Sequence, residues 1–202
     1  MLIKNLGPQV ERVWEDLRPT TKRLLAGALR TGNPLPQKSQ TANYNYDAHA
    51  DWELSRLLEA LDERWQVRSG PSRAEAAELA EACARILEEQ SGSAEVFIQL
   101  AGRAIALSDY DRLEKLADRL FERFSAGEIA EIVRQTEVPQ IRAIAFETLS
   151  MLPVELIEPL LDDPLYSEIA LNSLEQKAFE YDSEEARELL ERFDRGEDQI
   201  GN

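Results

Sequence analysis

Apolar residues recur at three- and four-residue spacing along almost the whole chain, and alternate at two-residue spacing almost nowhere. The first pattern lays apolar side chains along one stripe of a helix; the second would mark a half-buried strand. The chain therefore reads as all-α. Pro8 to Leu17 sets Val10, Val13, Trp14 and Leu17 on one face, and Pro19 interrupts it. Thr20 or Thr21 is placed to cap a second short helix carrying Leu24, Leu25, Ala28 and Leu29, which Gly32 and Pro34 end. From Asp51, a candidate cap, Leu54, Leu57, Leu58, Leu61 and Trp65 form a regular stripe. Ser72 with Glu75, Ser125 with Glu128 and Asp182 with Glu185 have the spacing of capping boxes. The segment 109–124 has the clearest apolar stripe, with Tyr110, Leu113, Leu116, Ala117, Leu120, Phe121 and Phe124. Short connections between the later helices imply antiparallel neighbours.

Residues 31–50 break this regularity. They have no apolar period, are rich in Asn, Pro, Gln and Ser, and read as a linker or long loop. Charge divides the chain at the same place. Residues 1–50 hold seven Lys and Arg against four Asp and Glu, a net of +3; residues 51–202 hold sixteen against thirty-five, a net of −19. The expected organisation is a basic N-terminal helical arm with a polar loop over 1–50, followed by an acidic helical-repeat domain over 51–202. A body so acidic repels phosphate and disfavours nucleic acid. Its acidity suits a solubilising surface, a face for a basic partner, or a salt-adapted source. The N-terminus lacks the apolar stretch of about 7–15 residues that a signal peptide needs, and no run approaches the ~18 apolar residues of a membrane span, so the expected location is cytoplasmic. The lone Cys83 lies among Ala, Leu and Ile, and reads as a small core residue.

An internal repeat appears at an offset of 25 residues. Pro139-Gln-Ile-Arg-Ala-Ile144-Ala145-Phe146-Glu-Thr-Leu149 aligns without a gap on Pro164-Leu-Tyr-Ser-Glu-Ile169-Ala170-Leu171-Asn-Ser-Leu174. Glu128 to Val133 and Glu155 to Leu160 give a weaker echo before each copy. Proline is well placed at the first helical position, where no intrahelical partner waits for its missing N–H. The small alanine lets a neighbouring helix approach, and Ile and Leu fill the space beside it. Val138 to Leu149, with Arg142 after Ile141, resembles the first helix of a HEAT-type repeat. Leu160-Leu161-Asp162-Asp163-Pro164 is similar to the junction between HEAT units. Ser167 and Glu168 depart from the pattern in the second copy. The resemblance covers about residues 125–194. It implies antiparallel helix pairs stacked as a short right-handed α-solenoid of HEAT or armadillo type, a fold whose units stack because none can bury its face alone.

Chemistry-bearing patterns are sparse. The one histidine, His49, stands in Tyr46-Asp47-Ala-His49-Ala-Asp51-Trp52-Glu53, an alternation that could bind a divalent metal only if the backbone were extended. Its simpler reading is a loop followed by a helix cap, so no metal ligand or cofactor is assigned. No phosphate-binding glycine loop and no nucleophile elbow is present, and no catalytic residue is assigned. Tyr44, Tyr46, His49 and Trp52 are the candidates for protein contact, since aromatic anchors in a polar stretch suit an interface. Trp65 reads as core.

The expected function is a non-enzymatic protein–protein interaction module, an adaptor or scaffold, with a protein partner that is basic if the acidic face is what it meets. An enzyme or small-ligand protein with a site near the 31–53 loop is the alternative. Nucleic-acid binding through the basic N-terminal arm is a third reading, and that arm is also the candidate contact for a homodimer.

Overall fold

The computed structural model describes residues 6–31, 46–65 and 71–200, and among these every regular element is helical. The contacts sort the chain into two compact units, Met1–Ser91 and Gly92–Asn202. Each is described by itself.

The first unit holds α1 (Pro8–Asp16), α2 (Pro19–Thr31), α3 (Ala48–Trp65) and α4 (Pro71–Gln90). Helix α4 packs along α3 and also meets α2, while α1 lies on α3. Leu54, Leu57, Leu58 and Leu61 of α3 meet this core, and Leu79, Cys83, Ile86 and Leu87 of α4 are fully buried. Ala82 and Ala84 are also at 0% exposure, so α4 is covered on more than one side. Cys83 sits in the core as its neighbours suggest. Helices α1 and α2 are part of this packed unit. Charge divides the chain at residue 50, whereas packing divides it after Ser91.

Three helix starts differ from the sequence expectation. Pro19 opens α2, so Thr21 lies inside the helix, fully buried. The carboxylate of Glu53 takes the capping role, accepting the Arg18 N–H at 2.6 Å. Helix α3 starts at Ala48, inside the expected loop, because Asp47 rather than Asp51 accepts the Ala50 N–H, at 2.9 Å. Asp51 lies in the first turn and is held elsewhere. Helix α4 begins at Pro71, which places Ser72 inside it instead of before it.

The second unit holds α5 (Ala94–Ala106), α6 (Tyr110–Arg123), α7 (Ala126–Gln135), α8 (Pro139–Met151), α9 (Val154–Ile157), α10 (Ser167–Phe179) and α11 (Glu184–Ile200). A 3-10 turn, Glu158–Asp162, follows α9. Helix α5 packs on α6 and α7, α7 on α8, α6 on α8, α8 on α10, and α10 on α11. Several helices adjacent or next but one in sequence are thus neighbours in space, although α6 and α7 do not pack closely on one another.

The 25-residue repeat is matched in burial. Ala145 and Ala170 are both fully buried, as are Leu149 and Leu174, with Thr148 and Ser173 buried between them. The two copies begin differently. Pro139 is the first residue of α8, but Pro164 stands in a turn and α10 starts only at Ser167. The weaker echo also diverges: α7 is a full helix, whereas Pro159 lacks an N–H and its segment closes as a 3-10 turn. Ser125 caps α7 as expected, its hydroxyl accepting the Glu128 N–H at 3.2 Å. Before α11 the cap is Ser183, which accepts the Ala186 N–H at 3.3 Å, and not Asp182, whose φ of 56° and ion pair with Arg187 hold it aside. On α6 only Leu116 and Leu120 are buried, and Tyr110 and Phe121 are exposed. No described helix is long and apolar enough to cross a membrane.

Candidate functional site

Two places in the molecule carry groups that a partner could use. The first is the start of α3. Glu53 is 2% exposed, and its carboxylate is surrounded by donors. It accepts the Arg18 N–H at 2.6 Å, Arg18 Nε at 3.0 Å and the Thr21 hydroxyl at 2.5 Å. Burial pushes its pKa up, but the bonds from Thr21 and Arg18 outweigh that and hold it below the usual carboxylate value. Arg18 reaches on to Asp47 with both terminal nitrogens, at 3.0 and 2.7 Å. That fork and the Ala50 N–H keep Asp47 ionised well below its ordinary range. Two positions of the acidic alternation are therefore committed to joining α2 to α3.

Asp51 is committed too. It accepts the Tyr46 hydroxyl at 2.5 Å and the Ser91 hydroxyl at 2.9 Å, and burial raises its pKa above the ordinary value. Asp51 thereby fastens the α3 start to the end of α4, and Tyr46 holds the other oxygen of the same carboxylate. His49 is exposed, its Nε2 3.8 Å from Glu53 Oε1. A helical backbone over 48–53 splays these groups around the axis. Among the described residues no group of three or more His, Cys, Asp and Glu converges as a metal site would need. Trp52 is 52% exposed, with the His49 ring 5.5 Å away and the Arg56 guanidinium 4.6 Å over its face. His49 and Trp52 thus share one exposed face of α3. Tyr44 lies outside the described residues, as does the side chain of Trp65.

The second place is in the Gly92–Asn202 unit. An open cleft of about 530 Å³ lies between the starts of α5 and α7 and Tyr166. Two of its carboxylates, Glu128 and Glu131, are already occupied. Glu128 does not close the capping box on α7; it accepts the Ala94 N–H at 2.7 Å and so caps α5. Glu131 is bonded by Arg134 at 2.6 Å and by the Tyr166 hydroxyl at 3.0 Å, and the Arg134 bond draws its pKa down to about 2.

The same unit exposes Leu107, Tyr110, Phe121, Met151, Leu156, Leu165, Phe179 and Tyr181, while Trp52 is the one such side chain of the first unit among the described residues. At the end of α10 several of these meet acids. Phe179 is 79% exposed and Tyr181 44%. The Tyr181 hydroxyl donates to Glu147 of α8, which raises the tyrosine pKa. Gln176 Nε2 donates to Glu147 at 3.3 Å and Glu180 at 2.9 Å. Beneath them Ser150 lies 2.8 Å from Gln176 Oε1 and 3.2 Å from the Ser173 hydroxyl. Small residues let α8 and α10 come close enough for these contacts, which fix the acids and aromatics above.

Sequence reasoning did not single out Phe179, Tyr181 or Met151. A signal was present: Phe179 falls off the stripe of Ala170, Leu174 and Ala178, so it has no core to enter. No family model matches the chain, and no curated protein or solved structure matches it either.

Proposed function

We propose that this chain is a non-enzymatic protein–protein interaction module, with its second unit a short α-solenoid of HEAT-like helix pairs that presents side chains to a protein partner. The solenoid reading is supported by the packing of α5 on α6 and α7, of α6 and α7 on α8, and of α10 on α8 and α11, and by the matched burial of the two repeat copies. A single observation carries the functional reading. The unit with most of the charge, eleven Lys and Arg against twenty-five Asp and Glu, also exposes eight large apolar side chains. Acids suffice for solubility; exposed Phe, Met and Leu among them add nothing to it and suit contact with another surface. Trp52, with His49 and Arg56 against it, is a second anchor of the same kind. A fully buried thiol at Cys83 fits a reducing, cytoplasmic setting.

Cross-linking the tagged chain in its source cells, followed by capture at low and moderate salt, tests the reading. One or a few proteins should be recovered in stoichiometric amount. Recovery of only abundant background proteins at both salt levels counts decisively against it.

A further inference from the structure

We infer that the surface formed by the end of α10 and the facing side of α8 is a docking site for a cationic amphipathic segment of another protein. The inference rests on the interaction reading above and names the surface and the chemistry of its partner.

The surface is held together by its own bonds. Glu147 on α8 accepts from both Gln176 and Tyr181, and Gln176 also donates to Glu180. Phe179 lies between Gln176 and Glu180 in the chain and is 79% exposed. Met151 stands one helical turn beyond Glu147 and is 52% exposed. Met151, Phe179 and Tyr181 are thus exposed on the same two helix ends that carry Glu147 and Glu180, with Glu175 one turn before Phe179. The cations nearby are already engaged. Lys177, the one cation of α10, donates to the Ser150 carbonyl at 3.3 Å. Arg142, the one cation of α8, is bound to the Thr136 carbonyl at the other end of that helix.

Charge complementarity selects the occupant. Net negative charge repels phosphate backbones and anionic lipid surfaces, and attracts Lys and Arg. Glu147 and Glu180 already accept hydrogen bonds from neutral donors and have lone pairs to spare, so each can take a further cationic donor. An aromatic ring 79% open to water gains most from contact with apolar side chains. A segment bearing basic residues on one side and apolar residues on the other satisfies both halves of the surface, which neither a nucleic acid nor an acidic protein does.

The test uses the full chain and a synthetic helical peptide of about 18 residues, five turns, with Leu and Lys at amphipathic spacing. A scrambled peptide of the same composition and a Glu-for-Lys peptide serve as comparisons. Fluorescence anisotropy should show binding of the amphipathic cationic peptide, at least about tenfold weaker binding of the scrambled one, and none of the Glu peptide. F179A should weaken binding about tenfold or more, as loss of a central anchor does, and the double variant E147Q/E180Q should weaken it and flatten its salt dependence. Glu59→Gln, at an exposed acid of α3 in the other unit, should leave it unchanged. Circular dichroism of each variant should match the parent, since the altered side chains are exposed or half-exposed. Equal binding of scrambled and amphipathic peptides, indifference to F179A, loss of binding in Glu59→Gln, or binding of duplex DNA in place of the peptide each overturns the proposal. If a partner captured from cells binds F179A undiminished, the interaction module stands and this docking surface falls.

Discussion

The two units use polar side chains in opposite ways. The Met1–Ser91 unit holds twelve Lys and Arg against fourteen Asp and Glu, and turns several of them inward on one another. Arg18, Thr21, Asp47 and Glu53 join two helix starts through bonds that span 29 to 35 residues of sequence. The Gly92–Asn202 unit is far more acidic, keeps its charges outward and exposes most of the large apolar surface. Its buried polar contacts are short hydroxyls and amides such as Ser150, Ser173 and Gln176. A buried ion pair ties helices at a fixed point, but its loss is costly because the partner stays behind uncompensated. Small residues set only a distance, and they leave the outer face free for other uses.

Measurements can separate the units because Trp14, Trp52 and Trp65 all belong to the first. Tryptophan emission reports that unit, while far-UV circular dichroism reports both. The largest expected effect is that of Glu53→Ala, which strands the Thr21 hydroxyl and the Arg18 N–H. It should cost about 2–3 kcal/mol, read as an earlier urea midpoint in tryptophan emission. An unchanged midpoint would put the polar node on a par with an ordinary surface pair. The same carboxylate sets a pH dependence. Its folded pKa lies below the ordinary 4.5, so its contribution is complete above that value and is lost as pH falls through the folded pKa. The acid limb of the emission-monitored stability curve should therefore be flatter in Glu53→Gln than in the parent.

Next in size is Ala145→Leu in the second unit, where a larger side chain must force α8 and its neighbours apart. Overpacking there should cost about 2 kcal/mol, seen in circular dichroism, with tryptophan emission moving less. Ser125→Ala removes the cap of α7 and should cost about 1 kcal/mol. Smallest is Arg56→Ala, which strips the guanidinium from a half-exposed Trp52. A loss of about 0.5 kcal/mol and a change in emission maximum are expected.

These contrasts also show what the sequence makes legible. Helix type and core membership follow from local spacing, so the Leu54 to Leu61 stripe, Cys83, and the paired Ala145 and Ala170 can be read without a structure. Helix starts are read less well where the capping group comes from afar. Thr21 has the local look of a cap, but the acceptor for the α2 start is Glu53, 35 residues from Arg18. Glu128 has the spacing of a capping box and serves a different helix. For the sites, His49 and Trp52 were legible as aromatic groups in a polar stretch, and they do share an exposed face. Tyr46 looked like an anchor and is a fastening to Asp51. The Phe179 surface was hidden because Glu147, which ties Gln176 and Tyr181 together, comes from another helix 29 and 34 residues earlier in the chain.

The bond from Ala94 to Glu128 has a mechanical consequence. It fixes the first turn of α5 to the first turn of α7 at one point. Sliding one helix along the other by a turn, about 5.4 Å, breaks that charge-assisted bond, but a small tilt about it does not. The pair is therefore stiff against translation and compliant against rotation. Under load it acts as a pivot, letting the later helices adjust their angle without losing register.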